Sequence, residues 1–109
     1  MLEFIDNFKS ALQVNISTTD DVIMLRPKDV ARLNAMKEGN HIYLTIKYLD
    51  RYEIVKYTHD ATIKGCKVPI TRDVLSQGRK NFPCTACVVA DWNTVQLREF
   101  VCQTNCGGK

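Results

Sequence analysis

The residues with most chemical potential are five cysteines, all in the C-terminal half: Cys66, Cys84, Cys87, Cys102 and Cys106. Cys84-x2-Cys87 and Cys102-x3-Cys106 stand 14 residues apart. Two short loops at such a spacing, each offering two thiolates, suit a tetrahedral zinc ion. The context points elsewhere, because Cys87 runs directly into Val88-Val89 without the glycine that usually lets backbone turn beneath a metal. A thioredoxin-like role for Cys84-Thr85-Ala86-Cys87 lacks the surrounding βαβ pattern and a helix start at the first cysteine. The plain expectation is burial as small hydrophobes for Cys66, Cys87 and Cys102. Cys106, on a polar tail, is better read as a disulfide partner, and an odd cysteine count leaves one thiol free or paired with another chain. All five therefore remain candidates for disulfides.

His41 and His59 are expected to be solvated, at strand edges and without a matching ligand pattern. No nucleophile elbow, phosphate loop, paired-carboxylate motif or dinucleotide fingerprint occurs. The expectation is a chain that catalyses no reaction and needs no cofactor. Fifteen basic residues against twelve acidic ones give a net charge of +3. No basic run exceeds Arg79-Lys80, so specific nucleic-acid binding is not expected. No apolar run approaches the ~18 residues of a membrane span. Glu3, Asp6 and Lys9 also spoil the first residues as a signal peptide, so the chain is expected to be made in a cytoplasm and not exported by that route.

The elements that must position these residues follow from periodicity. At 109 residues, 45% of them hydrophobic, the chain suits one small domain with a thin core. Ile5, Phe8 and Leu12 at helical spacing predict a short helix or docking arm over residues 1–12. Val22–Arg26 reads as a buried strand, and Pro27 opens a helical turn carrying Val30, Leu33 and Met36. Ile42–Tyr48 alternates strictly and should turn at Leu49-Asp50 into Tyr52–Thr58. Ala61–Ile63 with Lys67–Arg72 suggests a hairpin around Gly65. Val88–Ala90 with Val95–Cys102 suggests a closing one, turning at Asp91–Asn93. These strands predict a mostly β fold, a small antiparallel sandwich or partly open barrel spanning residues 13–102, followed by a flexible tail over residues 103–109. Phe82 and Trp92, both in loops, are candidate interface anchors.

Tyr52–Thr58, then Val68-Pro69-Ile70-Thr71-Arg72, then Phe82-Pro83 leading to Val88-Val89, resembles a pattern in small β domains of tailed-bacteriophage virion proteins. There a strand reading E-I-V-x-V-T is followed by L-T-V-x-R-G, a polar loop, an aromatic or histidine residue, and a closing strand. Ile42–Ile46 fits the preceding strand, and the likeness covers about residues 14–101. Glu53 and Arg72 are its two polar landmarks. Asp73 stands where the pattern has glycine after the arginine, and Cys84-Thr85 replaces its Ala-Gly step. The resemblance implies a structural component of a virion tail, neck or collar, or a fibre adaptor. Such proteins are made in the host cytoplasm and bind copies of themselves and other virion proteins. Ile5, Phe8, Leu12, Glu53, Arg72, Phe82 and Trp92 become the expected interface residues. Surface cysteines would form disulfides once a particle meets oxidising surroundings. The alternative is a zinc-stabilised intracellular binding module using Cys84, Cys87, Cys102 and Cys106.

Overall fold

The long hairpin dominates the fold, as its alternation predicts. In the computed structural model, β3 (His41–Tyr48) pairs with β4 (Arg51–Thr58) in full register, from His41↔Thr58 to Tyr48↔Arg51. The two residues left over, Leu49-Asp50, form the turn. The structure describes residues 1–90 and 93–106, with side chains through residue 102.

Around this hairpin a four-stranded antiparallel sheet runs in the order β1-β6-β3-β4, with β1 at Lys9–Ala11 and β6 at Cys87–Val89. A second, two-stranded sheet joins β2 (Val22–Met24) to β5 (Lys67–Pro69). The sheets meet at two seams without closing a barrel. At one, Gln13 N–H donates to Met24 O (2.9 Å). At the other, Lys56 and Thr71 exchange backbone hydrogen bonds of 3.0 and 2.8 Å. One core fills the space between, including Phe8, Leu12, Ile23, Leu25, Ile42, Leu44, Ile46, Val55, Tyr57 and Phe82. Helix α1 (Pro27–Asn34) packs Val30 and Leu33 against it, with proline at the helix start. Its buried Asp29 accepts from Ser10 Oγ of β1 (2.6 Å) and Arg26 Nε (2.7 Å), which fixes the helix to the sheet.

The first twelve residues contain no helix. Phe8, Ser10 and Leu12 are all buried while Lys9 is exposed, which is the period of a strand. Residues four apart share a face in either element, so Phe8 and Leu12 alone did not discriminate. Both belong to the chain's own core, and Ile5 packs partly buried against it. The hairpin expected around Gly65 is also absent. β5 pairs with β2 instead, and Ala61–Ile63 is not a strand.

The larger correction is at the C-terminus. The expected closing strand is a helix, α2 (Thr94–Cys106), so residues 103–106 of the expected tail are helical, and residues 107–109 lie outside the described residues. Asn93 Oδ1 accepts from Gln96 N–H (2.8 Å), a side-chain cap on the first turn. Beyond it, Val95, Gln96, Glu99 and Phe100 repeat at helical spacing. Val95 and Phe100 pack on a second cluster of Leu2, Tyr43 and Ile54, joined by Val74 and Leu75. The sheet is thereby covered on its other face, so β3 is buried on both sides. β6 pairs only with Thr45, Ile46 and Lys47 of β3. Nearer its start, that edge is completed by backbone bonds between His41 and residues 1 and 3, and by Gln96 Oε1, which accepts from Tyr43 N–H (3.2 Å).

Candidate functional site

Glu53 lies on the face of β4 shared with Val55 and Tyr57, and Arg72 follows the seam residue Thr71. That placement brings the two together inside the protein, with 4% and 5% of their surfaces exposed. The contact is a two-pronged fork: Arg72 Nε donates to Glu53 Oε2 and Arg72 Nη2 to Oε1, both at 2.8 Å. The three remaining guanidinium N–H groups reach backbone carbonyls, at Ser17 (3.0 Å), Asp20 (2.7 Å) and Lys80 (2.8 Å). Glu53 also accepts from the backbone N–H of Asp73 (3.0 Å) and Lys80 (2.9 Å). Burial alone would raise the Glu53 carboxyl. The Arg72 guanidinium and the two backbone N–H groups overcome it and hold the carboxyl below the usual carboxylate value.

Every donor of Arg72 is occupied, so the pair is a brace with no group left over for a substrate. It ties β4 to the 17–20 turn and to both ends of the loop after Arg72. That loop is ordered from within: Asp73 Oδ1 accepts from Gly78 N–H (2.8 Å), and Asp73 O accepts from Ser76 N–H (3.1 Å). Asp73 has φ 56°, in the left-handed region that usually belongs to glycine. Thr85 does the same at φ 76°, in a turn closed by Ala86 N–H donating to Pro83 O (3.2 Å).

A second polar cluster joins α2 to β3. Tyr43 OH donates to Glu99 Oε1 (2.6 Å), and His41 Nε2 pairs with Glu99 Oε2. Burial would raise the Glu99 carboxyl, but its bonds from Tyr43 and His41 hold it below the usual value. Burial, with Glu99 beside it, pushes the Tyr43 phenol well above its ordinary value. His59 is buried too, and its Nδ1 meets Tyr57 OH at 2.6 Å. Burial and the charge of Asp60 push that phenol up to about 12. Neither histidine is the solvated residue expected. The signal for His59 was its position two residues after Tyr57, on the same strand parity. For His41 the partner, Glu99, sits on α2, in a stretch whose alternation suggests a strand.

The remaining expected site residues are scattered. Phe82 is a core residue, its ring capped by the Arg51 guanidinium at 5.8 Å, so it offers no anchor to a partner. Trp92 lies outside the described residues. Cys84, Cys87 and Cys102 are exposed and Cys66 is half-buried, which overturns the expectation of buried thiols. Cys87 starts β6 between inward-facing Ala86 and Val88, so alternation turns it outward. Cys66, Cys84 and Cys87 are free thiols. Among the described residues no three His, Cys, Asp or Glu side chains gather as metal ligands. The zinc alternative expected two short loops to offer Cys84, Cys87, Cys102 and Cys106, and the second of these stretches is part of α2. The side chain of Cys106 is outside the described set. Among the described residues no helix is long and apolar enough to cross a membrane.

No family model matches the chain, and no curated protein matches it.

Proposed function

We propose that the chain is a non-enzymatic structural component of a bacteriophage virion, in the tail, neck or fibre-attachment region, and that it works as a homo-oligomer. The observation that carries this reading is the Glu53–Arg72 brace. The two polar landmarks of the phage-like pattern lie 19 residues apart in the chain and meet as a buried fork. The brace fixes the polar loop between them and the closing strand, the part of the pattern with least regular structure.

The two departures from that pattern point the same way. Asp73 and Thr85 replace its glycines, yet both keep a left-handed backbone. The fold retains the conformation for which glycine is ordinarily chosen, at a cost of about 1 kcal/mol or more per residue. In both polar clusters the groups are spent on one another, as suits a rigid part that works by contact.

The test is peptide mass spectrometry of gradient-purified particles of the encoding phage, alongside sedimentation of the isolated chain. The expected result is a multi-copy constituent of the particle and an oligomer in solution. Complete particles that lack the chain would refute the virion role, and a monomer at every soluble concentration would refute the homo-oligomer.

A further inference from the structure

Arg51 and Arg72 are used in opposite ways. All the donors of Arg72 are taken up inside the protein. Among the described residues Arg51 meets no hydrogen-bond acceptor and no acid within ion-pair distance. Its guanidinium is nevertheless held in place, 5.7 Å from the Tyr48 ring and 5.8 Å from the Phe82 ring. Tyr48 is its partner across the end of the β3–β4 hairpin and packs on the core, and Phe82 is part of that core. Ring faces attract the cation but take none of its N–H groups as a carboxylate or carbonyl would. The side chain is thus already ordered while its hydrogen-bonding edge stays open, which lowers the entropy lost when a ligand binds.

Arg51 lines an open cleft of about 450 Å³ between the base of the hairpin and the Ile16↔Phe82 bridge, and it is the only charged residue there. Asp50, its neighbour in the chain, does not line this cleft. Two exposed amides do. Asn15 and Asn81 each precede a bridge residue, and each caps the backbone of the opposite segment. Cys84 N–H donates to Asn15 Oδ1 (2.7 Å), and Thr18 N–H donates to Asn81 Oδ1 (2.9 Å). Those bonds fix which end of each amide is oxygen, so the ends left over are NH2 groups, which can only donate. The cleft therefore gathers one guanidinium and two amide donors without an acid, and half-buried Tyr48 and Pro83 give it an apolar wall. We propose that this cleft binds a carboxylate, with the Arg51 fork on its two oxygens and the Asn15 and Asn81 amides donating to the remaining lone pairs. The single cationic charge matches a singly charged carboxylate and falls short of a phosphate dianion.

The test is a titration of the isotope-labelled protein at constant ionic strength. Nuclear magnetic resonance follows the Arg51 Nε–H and the side-chain amides of Asn15 and Asn81. The probes are benzoate, N-acetylglutamate α-amide and inorganic phosphate. Either carboxylate should move all these signals along one saturable curve in the millimolar range, as suits ligands of so few atoms. Tighter binding of benzoate assigns the site to free acids, and tighter binding of the glutamyl amide assigns it to an acidic side chain of another protein. Arg51→Lys keeps the charge without the fork and should weaken binding roughly ten-fold. Asn15→Asp and Asn81→Asp keep the acceptor for the backbone N–H, and with it the fold, but replace a donor with a negative charge. Each should melt near the wild-type temperature and lose saturable binding. The proposal is overturned if neither carboxylate saturates, if phosphate binds more tightly than both, or if folded aspartate variants give the wild-type curve.

Discussion

Replacing Arg72 with methionine is the most informative perturbation of the brace. Methionine keeps much of the side chain's length and removes all five donors. Glu53 keeps two backbone partners, Asp73 N–H and Lys80 N–H, but its charge is left in a buried place without a cation. The carbonyls of Ser17, Asp20 and Lys80 lose a donor at the same time. Breaking a buried pair by removing one partner costs about 3–5 kcal/mol. Total stability for a domain of this kind is about 5–15 kcal/mol, so the loss is a large part of it. Arg72→Lys keeps the charge but not the fork, and should cost about 2 kcal/mol. The assay is urea unfolding followed by circular dichroism, with the midpoint converted through a common slope. The pH dependence carries a sign. The folded Glu53 carboxyl lies below its ordinary value, so its stabilisation is complete above the ordinary carboxylate range. It is lost as pH falls through the lower folded value, and Arg72→Met should flatten that acid limb. A loss under about 1 kcal/mol would place the pair with exposed ion pairs and refute the brace.

Three further outcomes follow from the geometry. Glu99→Ala should speed amide exchange in α2 and leave β3–β4 protected, at a cost of roughly 1–2 kcal/mol, and unchanged exchange would mean that Tyr43 and His41 do not hold the helix. Thr85→Gly should raise stability by about 0.5–1 kcal/mol by relieving a β-branched residue at φ 76°, whereas a loss would show that the turn is unstrained. Cys84 and Cys87 should alkylate rapidly in the native protein and Cys66 more slowly, and equal protection of all three would contradict their placement.

The hairpin was legible because Ile42, Leu44 and Ile46 alternate with polar residues over a full strand, and Leu49-Asp50 separates it from a second one. The Glu53–Arg72 contact was legible as a possibility, since each residue sits alone among strand formers. Its burial was not, because the carbonyls that satisfy Arg72 come from loops with no pattern of their own. α2 was misread because Val95, Leu97 and Val101 share one parity, though Glu99 falls on that parity too and breaks the alternation. The better signal was Asn93, whose short side chain caps a helix three residues ahead of Gln96. Leu97 and Val101 are exposed, so the hydrophobic count there misled about which face is inside. β1 was hidden because Phe8 and Leu12 fit both periods, and the deciding residue, Ser10, is polar yet buried against Asp29. Cysteine as a residue type suggests burial, whereas strand parity turns Cys87 outward and Cys84 lies exposed in a turn.

The most direct measurement of the proposed virion role is a cryo-electron-microscopy reconstruction of the phage particles released by cells that carry the gene. The structural-component reading predicts repeated density that fits the braced two-sheet domain, with neighbouring copies in contact. Well-resolved particles with no such density anywhere, still complete and infectious after the gene is deleted, would contradict it.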